Sequence, residues 1–429
     1  MKKGIITTLL FVFLFSVLGF SQWVNQGAFP DASVKGQLHG VAVDPAGKVW
    51  AANFGAERFL PPGATDSITV RLIRVFNPDG SPAPFSPIWK LTIAGVTDTL
   101  LASNSRGMRA DHNGNILYVD GGQRMYRINY LTGAGMNKVA LAIGTSPTAP
   151  AVSQDGKIFV GPVVNANNPI KEFDVNFNYV GEVKKLLLTG FSRSIEVSKD
   201  GNTLYFPIYT RKIIIVYKRP DELSAFDSVG TIMDGISCES IAFNKTTGNL
   251  WASGGSFLDP PDTLSRFTTN TWYEYNLATK TVVDSFKWTF TVPNSPNERP
   301  RAIDFSPSGN VAYVGCFGSA GVPLIQKFTK TTGVDEQGQV VVNGYKLSQN
   351  YPNPFNPSTR ISFELPISGY ATLKVYDMLG REIAVLVDEE MTSGYHSVNF
   401  NAANLASGTY IYQLNVNGTR ITNKMVLLK

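Results

Sequence analysis

The 429-residue chain is 43% hydrophobic and 17% charged, with 39 Gly, 25 Pro, 17 Tyr and 26 Phe. That length exceeds one ordinary domain, the apolar content excludes a disordered chain, and the weight of aromatics, Gly and Pro excludes an all-helical one in favour of short strands and tight turns. Formal charge is +5, and loss of Lys2 and Lys3 with an N-terminal signal leaves 36 basic against 33 acidic residues, a balance with no nucleic-acid footprint. With two Cys and three His there is no basis for a structural zinc site, so no cofactor is expected and any metal would have to be held by oxygen.

Met1-Lys2-Lys3, an apolar run from Gly4 to Phe20, and Ser21-Gln22 form the charged head, apolar core and small-residue cleavage site of a secretory signal over residues 1–21. The run is about 17 residues against the roughly 20 that a bilayer span needs, and no positive flank follows it. No other stretch is long enough, so the mature form is expected to lack a transmembrane span.

Between residues 23 and 330 one unit recurs: an apolar strand, a turn closed by Gly, a second apolar strand and, after a gap, a third. First and second strands fall at 40–53, 107–122, 150–162, 194–209, 240–255 and 302–318, with third strands at 71–76, 124–130, 170–175, 212–219, 271–277 and 324–330. The spacing, mostly a little over 40 residues, is the period of a four-stranded blade, so an all-β, six-bladed β-propeller is predicted over 22–330, with a seven-bladed ring as its rival. The units resemble the NHL and YVTN classes of propeller repeat, a likeness that reaches fold and not activity. Fourth strands are expected at Ile88–Ala94, Asn137–Ile143, Tyr179–Leu187, Phe226–Asp234 and Val282–Phe290. The sixth unit lacks one, and Trp23–Phe29 is expected to close the ring against Leu324–Lys330.

Asp44, Asp111, Ser153, Ser198, Asn244 and Ser306 open the hairpins, each followed closely by Gly. One such residue per blade suits turn hydrogen bonding and does not gather the several oxygens that calcium requires. The residues entering first strands ring one mouth of the channel: His39, Arg106 or Arg109, Thr148, Arg193, Glu239 and Arg301. Two insertions, Phe54–Val70 and Ser256–Asn270, rise on the same face and would wall a groove with Phe54, Phe59, Phe257 and Trp272. Guanidinium forks suit carboxylate, sulfate or phosphate oxygens, so His39, Arg106, Arg193, Glu239, Arg301, Phe59, Phe257 and Trp272 are the candidate site for an anionic or glycan ligand. Glu239 can neutralise only one arginine, so replacing Arg193 and Arg301 by Ala is expected to leave stability the same or higher. No G-x-S-x-G elbow, H-E-x-x-H helix or Walker loop occurs, so no catalytic residue is assigned.

Residues 331–344 read as a linker, and residues 345–429 as seven short strands punctuated by Gly380, Gly394, Gly408 and Gly418, enough for an immunoglobulin-like β-sandwich without a cysteine pair. Pro352, Pro354 and Pro357 deny donors to a strand, so their segment should enter the module without one. Tyr351-Pro352-Asn353-Pro354-Phe355-Asn356-Pro357, the Val375-Tyr376-Asp377 block, Gly408-Thr409-Tyr410 and Lys424-Met425-Val426-Leu427 closely resemble the type A C-terminal sorting domain of the type IX secretion system. The resemblance implies passage through the periplasm, export by the type IX translocon, removal of the module by its processing peptidase, and in some cases attachment to surface lipopolysaccharide.

Three readings compete. The leading one is a secreted or surface-displayed propeller that binds an extracellular ligand. An extracellular hydrolase or lyase acting on a lactone or glycan is the second, and a structural surface-layer component the third. Propeller lactonases and sugar-acid hydrolases, which this architecture resembles, hold a metal with Glu, Asp and Asn at positions that are mostly Arg here.

Overall fold

The computed structural model describes residues 22–429 apart from 101–103, 166–167, 184–188, 257–258, 260–265, 292–294, 296–297, 319–320, 332–345, 366–368, 392–393 and 418. The expected signal, the linker beyond Thr331 and Phe257 therefore lie outside the described residues. The chain divides into two compact units, one spanning Trp23–Thr329 and one holding the residues from Lys330 to Lys429.

The first unit is a six-bladed β-propeller of antiparallel sheets. Blade two runs in chain order through Ser105–Ala110, Ile116–Asp120, Arg124–Ile128 and Gly135–Ala140. Blades three, four and five repeat that order over Pro147–Val183, Glu196–Ile232 and Ile241–Lys287. In blade six, Glu298–Phe305, Val311–Gly318 and Ile325–Thr331 are followed outermost by Gln22–Phe29, from the other end of the chain. Every residue of the second strands Val49–Asn53, Ile116–Asp120, Ile158–Pro162 and Leu250–Ser253 is buried, so these strands read as runs covered on both faces. Outer strands such as Gly135–Ala140 alternate half-buried with exposed residues, the pattern of a sheet edge with one face in water.

Blade one departs from the repeat. Leu38–Val43, Val49–Asn53 and Ile73–Phe76 form its sheet, and the expected fourth strand at Ile88–Ala94 is replaced by one bridge, Ile88 to Ile73, and a separate hairpin of Lys90–Ile93 with Val96–Thr99. Ala94 and Gly95 both hold positive φ and turn the chain back on itself before a long strand can form.

Each seam between neighbouring blades has its own apolar core, six in all among the described residues. Near the axis the backbones approach so closely that a Cβ on Gly40 would lie 2.9 Å from the Gly107 Cα, and one on Gly107 would lie 2.3 Å from the Ala149 Cβ. Glycine is required there by space. Trp23 packs into the seam between blades five and six, and Phe29, on the same strand, into the seam between blades six and one. Residues six apart would share a face of an unbroken strand, but the left-handed backbone at Gly27 interrupts the alternation between them.

Among the described residues the second unit is a β-sandwich of seven strands, all near their expected places. Lys346–Leu347, Ser358–Leu365 and Gly394–Asn401 form one sheet, and Glu382–Met391, Gly369–Tyr376, Gly408–Val416 and Thr419–Leu427 the other, in that spatial order. Ile361, Phe363, Leu373, Tyr412, Leu414 and Met425 fill the space between them. The Pro-rich segment contributes single bridges in place of a strand, Tyr351 to Arg360 and Phe355 to Leu427. Phe355 is buried in the core, Asn353 Oδ1 accepts from Val426 N at 2.8 Å, and Tyr412 Oη both donates to Ser348 O at 2.7 Å and accepts from Asn350 N at 2.8 Å. These bonds tie the segment to the last strands of the module.

Candidate functional site

Inner strands deliver the entry residues of the blades to one mouth of the channel. His39, Glu239 and Arg301 are buried there, and Arg106 and Arg193 are partly buried. The arginines sit on aromatic rings. Arg106 lies over Phe54 at 5.3 Å, Arg301 over Phe317 at 5.1 Å and Arg193 over Tyr209 at 5.6 Å, a cation–π arrangement that shields a guanidinium without neutralising it. His39 joins the same collar, 5.1 Å from the Phe54 ring and 5.6 Å from that of Phe317.

Burial, and then the charges of Arg301, Arg106 and Arg193, hold His39 well below the usual histidine range, so its ring is neutral at physiological pH. Burial and then Arg193 lower the Arg106 guanidinium to about 10. Glu239 faces Arg301 across 2.6 Å, yet burial lifts its carboxyl to about 7, with Asp259 of the blade-five insertion adding charge and a hydrogen bond in the same direction. The Nε atoms of Arg106, Arg193 and Arg301 are buried without hydrogen-bond partners, as is His39 Nδ1. Glu239 Oε2 and Arg301 Nη1 face each other as an ion pair with no hydrogen bond between them.

Arg109, the other arginine on the first strand of blade two, lies deeper. Its guanidinium pairs with Glu196 of blade four at 2.5 Å, donates to Ile241 O of blade five at 3.1 Å and stands 3.8 Å from Asp304 of blade six. It spans the channel as a buried cross-brace, and Arg106 is the one at the mouth. Thr148 is also structural, with its hydroxyl donating to Ala149 O and accepting from Gly161 N.

Two of the expected wall residues are elsewhere. Trp272 is wholly buried between blades five and six, with Nε1 donating to Ser240 Oγ at 3.0 Å, because the strand alternation turns it into the seam. Phe59 packs on the blade-one core beside Trp89, since the first insertion folds into a hairpin of Glu57–Phe59 with Ile68–Val70 that Arg74 fastens through Glu57. Phe257 lies outside the described residues. The sequence reading missed Tyr209 and Phe317. Their signal was present: in units one, four and six the second strand runs into an aromatic at the same repeat position, Phe54, Tyr209 and Phe317.

The hairpin openers behave as turn residues. Asp44 Oδ1 accepts from the amides of Ala46 and Lys48, and Asp111 Oδ1 from those of Asn113 and Asn115.

Residues 349–428 match the family described as secretion system C-terminal sorting domain. The module is such a sorting domain, and it marks the chain for export by the type IX system to the cell surface or beyond it. No curated protein sequence matches the chain. Among solved structures, a streptogramin B lyase is similar at 11% identity, covering 72% of this chain and 98% of its own, with a TM-score of 0.45. A virginiamycin B lyase from Staphylococcus aureus is similar at 15% identity, covering 72% and 99%, with a TM-score of 0.45. PorZ, a surface component of the type IX secretion system of Porphyromonas gingivalis, is similar at 14% identity, covering 91% of this chain and 51% of its own, with a TM-score of 0.36.

Proposed function

We propose that the chain is an exported binding protein whose propeller takes an anionic or acidic-glycan ligand at the mouth framed by Arg106, Arg193 and Arg301. Residues 1–21 act as its signal peptide, and the processing peptidase of the secretion system removes the C-terminal module, releasing the propeller or leaving it on surface lipopolysaccharide. The observation that carries the reading is the charge imbalance of one ring. Three guanidinium groups stand together with buried, unpartnered Nε donors, while Glu239 pairs with Arg301 at 2.6 Å and acts on Arg193 only from farther away. His39, held neutral, adds no further positive charge. A ligand with several oxygens would satisfy these donors and relieve the mutual repulsion of the arginines.

A glycan and organic-anion array on the mature protein, with and without Ca²⁺, tests the reading. Retention of acidic glycans or organic anions, and its loss in the Arg106→Ala/Arg193→Ala variant, is the expected result. Retention unaffected by that variant would remove the site.

A further inference from the structure

The opposite mouth of the channel holds a cavity of about 630 Å³, within the range of small-molecule sites. It lies among the hairpin turns of blades two to five. Tyr205, Phe243 and Leu277 give it an apolar wall, with the rings of Tyr205 and Phe243 meeting edge to face at 5.6 Å. Arg109, Glu196 and Asp304 line it from the channel side, and Lys199 and Lys245 are exposed at its rim.

We propose that this cavity binds a small aryl carboxylate, a ligand distinct from the anion at the other mouth. The apolar wall asks for an apolar body, and its two rings favour an aromatic one. Charge decides the orientation. Glu196 and Asp304 share the single guanidinium of Arg109, and Lys245 also acts on Glu196 from the rim, so the inner guanidinium is already answered by two carboxylates and offers an anion little. The ligand carboxylate is therefore directed outward to Lys199 and Lys245. Arg109 Nε is buried without an acceptor and supplies a donor for a hydroxyl at the inner end of the ligand.

Calorimetric titration of the mature protein with 6-hydroxy-2-naphthoate tests this. One saturable site is expected. The exposed-charge variant Lys199→Glu/Lys245→Glu should raise Kd about tenfold, Leu277→Trp should abolish binding by filling the cavity, and 2-naphthol, which lacks the carboxylate, should bind more weakly. Arg106→Ala/Arg193→Ala should leave Kd unchanged. The proposal is overturned by absence of saturable binding to the wild type, by equal affinity for 2-naphthol, or by affinity that survives both cavity variants. Loss of binding in the Arg106→Ala/Arg193→Ala variant would also overturn it, by placing the probe at the other mouth.

Discussion

Glu239 Oε2 and Arg301 Nη1 stand 2.6 Å apart where blades five and six meet the channel, and both side chains are almost wholly withdrawn from water. Despite that distance, burial holds the carboxyl up at about 7 and the guanidinium down at about 10. Each group loses more by leaving water than its partner returns, the usual condition of a buried ion pair. The arginines at this mouth are consequently not equivalent. Arg301 has a carboxylate at ion-pair distance, whereas Arg193 feels Glu239 from farther away and holds Tyr209 through its ring and one long contact, 3.4 Å to Oη.

That difference changes the expectation formed when the three arginines were treated alike. Arg301→Ala removes the larger of the two counter-charges of Glu239, the one at ion-pair distance, and should cost about 3 kcal/mol. Arg193→Ala should lie within about 1 kcal/mol of the wild type, because the repulsion it relieves offsets the cation–π contact, the long hydrogen bond to Tyr209 and the attraction to Glu239 that it gives up. Urea unfolding followed by tryptophan fluorescence reads the propeller alone, since all six Trp lie in it.

Glu239 also gives the fold a pH dependence of known sign. Its carboxyl titrates near 4.5 when unfolded and at about 7 when folded, so between those values the folded state holds more protons. The stabilising contribution is therefore full below pH 4.5 and lost as pH rises through 7, a change on the order of 3 kcal/mol. Glu239→Gln removes it. Relative to the wild type, the variant should gain stability between pH 5 and pH 7.5, and a difference that stays constant across that range would contradict the assignment. His39, whose contribution runs the other way and is lost on acidification, is common to both proteins and cancels in the comparison.

Trp23 is the anchor of the N-terminal strand, with ring centroids 5.4 Å from Trp251 and 5.3 Å from Phe286. Trp23→Ala should cost about 3–5 kcal/mol. Deleting residues 22–29 should cost at least as much, because it also exposes the edge of Ile325–Thr331. A deletion that unfolds at the same urea concentration as the full chain would show that the strand contributes nothing.

In the sorting module, Phe355 fills the sandwich core from within the Pro-rich segment. Phe355→Ala should cost the module about 3–5 kcal/mol and lower the amount of protein reaching the cell surface. The tryptophan-reported transition of the propeller should stay where it is. Normal export of a variant whose module is unfolded would separate sorting from this fold.

The parts legible in the sequence are those that repeat. Period-two apolar runs and Gly-closed turns located six units, and the gap after Lys330 drew attention to Trp23–Phe29. Blade one escaped because its outer strand is set by a turn at Ala94-Gly95 that breaks the period. The site was half legible: first-strand entry picked out His39, Arg106, Arg193, Glu239 and Arg301, since that position is fixed by topology. Trp272 and Phe59 were misplaced because an aromatic in a strand or an insertion says nothing about which face it takes until the register is known. The cavity beside Tyr205 and Phe243 left no mark in the sequence at all, being made of turn ends from four blades.

The central claim is that Arg106, Arg193 and Arg301 hold an anion at the entry mouth. Its most direct test is thermal unfolding of the mature protein, followed by tryptophan fluorescence, in increasing citrate, sulfate and oligogalacturonate, with a neutral oligosaccharide as control. A ligand that binds only the folded state raises the midpoint with concentration. The wild type should show that rise with at least one of the anions and none with the neutral sugar, and Arg106→Ala/Arg193→Ala should lose it. A wild-type midpoint unmoved by all three anions, or a rise that the double variant retains in full, would contradict the claim.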